Sequence, residues 1–175
     1  MHALQAPVSH VVRLRRRPRG HWWLRVALVT LTAACTASGP RPIALGTESC
    51  GFCRMTITDA RFAAEARLAR GRTEVFDSIE CVAGYTAAGP ADAIVAIWVS
   101  DFNHPGKLIP ADSATFWRLD GGVSSPMGKG LLATVGQDAP RGVATVGGPQ
   151  TWRDVVARAV DEGAHEHGAA SNDLR

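Results

Sequence analysis

Between residues 93 and 100 the chain reads Ala-Ile-Val-Ala-Ile-Trp-Val-Ser, apolar at nearly every position and rich in β-branched side chains. A run of that length without alternation predicts a strand covered on both faces, in the interior of a sheet. Upstream, residues 62–69 alternate apolar and mixed positions, Arg70-Gly71 supplies a turn, and residues 72–77 resume a strand-like pattern. Together they predict a β-hairpin. Asp77-Ser78 stands where a helix N-cap belongs, with Glu80 in the first turn and Ile79, Val82, Ala83 and Thr86 at helical spacing. Gly84 weakens that helix and Gly89-Pro90 ends it. Residues 115–119 and 131–135 read as two further strands flanking a loop over 121–130, and residues 152–160 carry apolar positions at Trp152, Val155, Val156, Ala159 and Val160, the stripe of an amphipathic helix. The order β-β-α-β, then strands, then helix predicts an α+β domain rather than a dinucleotide-binding βαβ fold. There is no glycine-rich phosphate motif and no internal repeat.

A length of 175 residues allows one ordinary domain, and 46% apolar against 20% charged residues excludes a disordered or collagen-like chain. The formal charge of +3 changes meaning once it is located. Residues 1–34 hold six arginines and no acids, so the remainder has 19 − 6 = 13 basic against 16 acidic residues, a balance near −3. No nucleic-acid partner is expected.

Those arginines precede the apolar run at residues 26–34, far shorter than the roughly 20 residues a membrane span needs. This is the pattern of a secretory signal. Leu31-Thr32-Ala33-Ala34-Cys35 resembles the lipobox at which bacterial lipoproteins are cleaved and acylated on cysteine, although Thr32 stands where leucine is usual. Ordinary cleavage near Ala37-Ser38-Gly39 is the alternative. The expected organisation is a signal peptide (1–34), a flexible lipid-anchored tether (35–47), a folded domain (48–162) and a disordered tail (163–175). The protein is expected in the cell envelope, held to a lipid membrane through Cys35 and facing the periplasm or exterior.

Cys50-Gly51-Phe52-Cys53 is the loudest chemical signal, with three readings: a redox dithiol, half of a zinc site, or part of a soft-metal site. A redox dithiol expects a strand before it and a helix after it. Here residues 54–59 are rich in β-branched side chains. With Cys35 acylated, Cys50, Cys53 and Cys81 leave an odd number of thiols in an oxidising compartment, where a free thiol needs a reason. Cys81 is either a small core residue beside a Cys50–Cys53 disulfide or a metal ligand. Beyond the initiator the only methionines are Met55, two places after Cys53, and Met127, in the loop Ser125-Pro126-Met127-Gly128. Thiolate and thioether together select Cu(I), whereas zinc prefers thiolate and imidazole. A closed zinc site of Cys50, Cys53, Cys81 and His104 stays open as an alternative. His165 and His167 lie in the polar tail, and Asp59, Asp77, Glu80 and Asp101 read as caps or surface charges. No catalytic constellation is present, so no enzyme is expected.

The segments Cys50–Asp59, Phe76–Cys81, Trp98–Asp101 and Ser125–Gly128, taken in order, resemble the NosL-type lipoproteins, the nitrous oxide reductase accessory proteins. The resemblance runs from about residue 48 to 136 and more weakly through the final helix. It implies an anchored Cu(I)-binding metallochaperone, built from two related ββαβ lobes with antiparallel sheets, that supplies copper to copper-poor nitrous oxide reductase or another exported copper enzyme. The expected metal ligands are Met127 and one of Cys50 or Cys53, then Met55, with Cys81 and His104 as outer candidates. Residues 138–148, with Pro140, Gly142, Gly147 and Gly148, depart from the pattern where the second lobe would carry a helix. A copper-sequestering surface protein without a client is the rival function.

Overall fold

The expected hairpin forms as β1 (Ala64–Leu68) and β2 (Thr73–Phe76), with Ala64 opposite Phe76 and Arg67 opposite Thr73. Its turn uses Gly71 at φ +82°, a conformation glycine enters without steric cost. Helix α1 (Ile79–Ala87) starts from Ser78, whose hydroxyl oxygen accepts the Cys81 N–H at 3.2 Å. Then come β3 (Ile94–Ser100), β4 (Leu108–Pro110), β5 (Ala114–Leu119), β6 (Leu131–Val135), β7 (Thr145–Gln150) and α2 (Trp152–Asn172). The chain is a computed structural model, which describes residues 39–172 and side chains as far as Glu162. The expected signal peptide and the expected lipidation site Cys35 lie outside the described residues.

Two antiparallel sheets carry the fold, one in the order β2-β1-β3-β4 and the other β6-β5-β7. They are joined where Phe102 N–H donates to Ala133 C=O at 2.8 Å. Helix α1 lies on β1 and β2 and touches β6, while α2 packs on β5 and against α1. One apolar cluster therefore runs through both halves, from Ile57, Phe76 and Val82 to Phe116, Leu131 and Val155. A mixed α+β fold with antiparallel sheets is what the hydrophobic pattern required.

Local differences have local causes. β3 is interior as expected but not covered on both faces, because Val95 is exposed. In the second half a strand occupies the place where a helix would complete the ββαβ order. There β7 pairs with β5 along the sheet edge, where Pro149 is tolerated because an edge strand has N–H groups that need no partner. Residues 40–47, expected as tether, lie along the domain: Arg41 N–H donates to Glu65 at 3.0 Å, its guanidinium pairs with Glu48, and Gly46 N–H reaches Ile57 C=O at 2.8 Å. Within the expected tail, α2 continues through Asn172. No helix among the described residues is long and apolar enough to cross a membrane.

Candidate metal centre

The Cys50–Met55 segment is a tight loop closed on itself. Cys50 N–H donates to Met55 C=O at 2.8 Å and Arg54 N–H to Cys50 C=O at 3.1 Å. Arg54 has φ +66°, the left-handed region that favours glycine, so the loop holds it there against an intrinsic cost. Gly51 N–H then ties the loop to β2 through Val75 C=O at 2.8 Å. This anchorage presents Cys50 and Cys53 to the N-terminal turn of α1, which carries Cys81.

The Sγ atoms of Cys50, Cys53 and Cys81 all lie within 4.8 Å of one another, and all three thiols are free. Cys50 and Cys81 are buried and Cys53 is half-buried. Such a group can hold a metal ion. Cys50 is pulled down to about 4, chiefly by the Cys81 thiol beside it and then, against the opposing effect of burial, by the backbone N–H groups of Asp77, Cys53 and Phe52. The Phe52 N–H stands 3.5 Å from its sulfur. Cys81 is pushed strongly up because its proton is held by Cys50, and Cys53 is raised mainly by burial. Between the two, negative charge is favoured on Cys50 and the proton on Cys81. The start of α1 favours that arrangement, because helix N-termini attract negative charge.

Two buried carboxylates stand on either side of the Ser78 cap, and one of them, Asp77, feels the charge on Cys50. Asp77, with an unpartnered Oδ1, is shifted upward by burial and then by the Cys50 charge. Glu80, next to Cys81, accepts Ser125 Oγ–H at 2.7 Å and Leu131 N–H at 3.0 Å through one oxygen. Ser125 in turn accepts Gly130 N–H at 2.9 Å. Glu80 therefore fastens the loop bearing Met127 to the helix bearing Cys81, although the sequence alone gives it the look of a first-turn surface charge.

The sequence-predicted residues are distributed accordingly. Cys50, Cys53 and Cys81 come together in one group. Met55 is 53% exposed at the end of the cysteine loop. Met127, 37% exposed, lines a cleft of about 560 Å³ together with Phe52, Glu80, Gly84 and Val155. His104 lies outside the three-cysteine group, its Nδ1 2.6 Å from Asp101 Oδ2 in the turn after β3.

Among solved structures the chain is similar to the copper chaperone NosL from Shewanella denitrificans. The identity is 18%, the match covers 54% of this chain and 80% of that one, and the TM-score is 0.43. No protein-family model matches the sequence, and no curated protein matches it.

Proposed function

We propose that the protein is an exported, membrane-anchored Cu(I)-binding metallochaperone that delivers copper for the maturation of nitrous oxide reductase. The carrying observation is the cluster of three free sulfurs, two buried and one half-buried, with a thioether at the end of the same loop. A transfer protein needs soft donors that an incoming ligand can reach, whereas a closed four-coordinate cage binds its metal as part of folding. The half-buried Cys53 and the exposed Met55 and Met127 meet that need. The client rests on the motif resemblance described above, and the anchor on the lipobox-like Leu31–Cys35 segment.

The deciding experiment is competition between Cu(I) and zinc for the reduced protein, read with chelators of known affinity. Cu(I) should bind one per chain and win, and Met127→Ala should weaken Cu(I) while leaving the fold intact. Zinc binding that is equal or tighter and indifferent to Met55→Ala and Met127→Ala would replace copper with a structural zinc site. The client is tested separately: in a host lacking the gene, exported nitrous oxide reductase should be made but be poor in copper. Normal copper content there leaves a copper-sequestering protein as the reading.

A further inference from the structure

Phe52, which precedes the second cysteine of the loop, is placed for more than filling space. A Cβ built on Gly84 would stand 2.8 Å from Cζ and 2.9 Å from Cε1 of Phe52, so the phenyl ring lies directly over the bare backbone of α1. Gly84 is three residues beyond Cys81, one turn along the helix that supplies the buried thiol. Phe52 immediately precedes Cys53, and its own N–H points at Cys50 Sγ. The ring is nevertheless 44% exposed, on the wall of the cleft that also holds Met127. A large apolar side chain resting on a glycine in mid-helix is an unusual pairing, since glycine there weakens the helix by about 1 kcal/mol relative to alanine. The gap explains why a glycine is useful at that place.

We propose that Phe52, seated over Gly84, is a positioning residue that holds Cys53 against the Cys50–Cys81 pair and sets how fast the cluster releases its metal. The ring clamps the outer end of the loop to the helix at the one point where the helix has no side chain in the way. Because the clamp faces the cleft, a group entering from solvent can reach it. The inference rests on the metal-binding reading, but the geometry it describes exists in the metal-free protein and is measurable there.

The experiment uses the reduced full chain and the variants Phe52→Ala, Phe52→Tyr and Gly84→Ala. Peptide-resolved alkylation of the metal-free protein reads the reactivity of Cys53, and transfer to a Cu(I) chelator reads metal release from the loaded protein. Phe52→Ala should speed both by about tenfold, the factor expected when the half-buried part of a phenyl ring loses its contacts. Phe52→Tyr keeps the ring and should behave as wild type. Gly84→Ala is the sharper arm. The new methyl group displaces the ring while alanine strengthens the helix, so Cys53 should react faster although thermal stability is unchanged or higher. A merely structural role predicts that reactivity and stability move together. Cys53 reactivity unchanged in both Phe52→Ala and Gly84→Ala overturns the proposal, whatever metal the protein binds. Failure of copper loading with the alkylation pattern intact overturns only the metal reading.

Discussion

Replacing Cys81 by alanine should raise the pKa of Cys50, because the Cys81 thiol is the largest influence holding it down to about 4. A hydrogen bond to a charged group contributes about 1.5–3 kcal/mol, and about 1.4 kcal/mol corresponds to one pKa unit. Cys50 in the variant should therefore titrate clearly above its wild-type value, though still below an ordinary thiol because the backbone N–H groups remain. Cys81→Ser supplies a hydroxyl donor at the same place and should remain closer to wild type. The assay is an ultraviolet thiolate titration of the reduced, metal-free protein. Cys53, raised by burial, titrates at higher pH and does not overlap. The sign carries over to stability. A depressed folded-state pKa contributes stability that is present above the unfolded thiol value and lost as pH falls through about 4. Cys81 does the opposite: its raised value contributes below the unfolded thiol pKa and is lost at higher pH. From these two groups, reduced protein should gain stability from pH 4 toward the ordinary thiol range and lose it beyond. Cys81→Ala should flatten both limbs. A variant in which Cys50 titrates as in wild type would show that the shared proton is not what stabilises the thiolate.

Two further substitutions test how the site is held. Arg54→Gly should leave stability unchanged or raise it by up to about 1 kcal/mol, while Arg54→Val should lower it by about 1–2 kcal/mol, since φ +66° costs a β-branched residue most; chemical denaturation reads both, and equal effects would refute a strained loop. Glu80→Ala leaves Ser125 and the Leu131 N–H without their acceptor and should cost about 2 kcal/mol, whereas Glu80→Gln keeps the accepting oxygen and should stay close to wild type. If Gln is as damaging as Ala, it is the charge of Glu80 that matters and the hydrogen-bonded fastening is misassigned.

How much of this was readable in the chain follows from the range of the interactions. The hairpin, the Ser78 cap and the strands over 115–119 and 131–135 are specified by neighbours in sequence, and they form where the pattern places them. β7 was hidden because Gly147, Gly148 and Pro149 carry loop chemistry, and only pairing with β5 makes a strand of them. Cys81 was ambiguous for a related reason. Its helical position says that it faces inward, and both a core residue and a buried ligand do that. What separates them is the approach of a loop some 30 residues upstream in sequence, which local pattern does not encode. Gly84 in sequence is a weak point of the helix, and only the ring of Phe52 above it gives the missing side chain a use. Glu80 likewise showed only its first-turn position, not the loop 45 residues away that it holds.

The proton inventory of the cluster bears on the choice of cargo. In the metal-free protein the Cys50–Cys81 contact favours negative charge on Cys50 and the proton on Cys81, and burial followed by the Cys50 charge pushes Asp77 toward its neutral form. A monovalent cation meets one negative sulfur already in place and gives a neutral buried unit with no further deprotonation. A divalent zinc ion bound through all three sulfurs needs the Cys53 and Cys81 protons removed and leaves a net negative thiolate complex near Asp77. Buried charge of that kind is costly without a compensating cation, and among the described residues Asp77 Oδ1 has no hydrogen-bond partner. Under the proposed function, this balance of charge suits a monovalent ion better than a divalent one. The half-buried Cys53 is then the sulfur that can let go first.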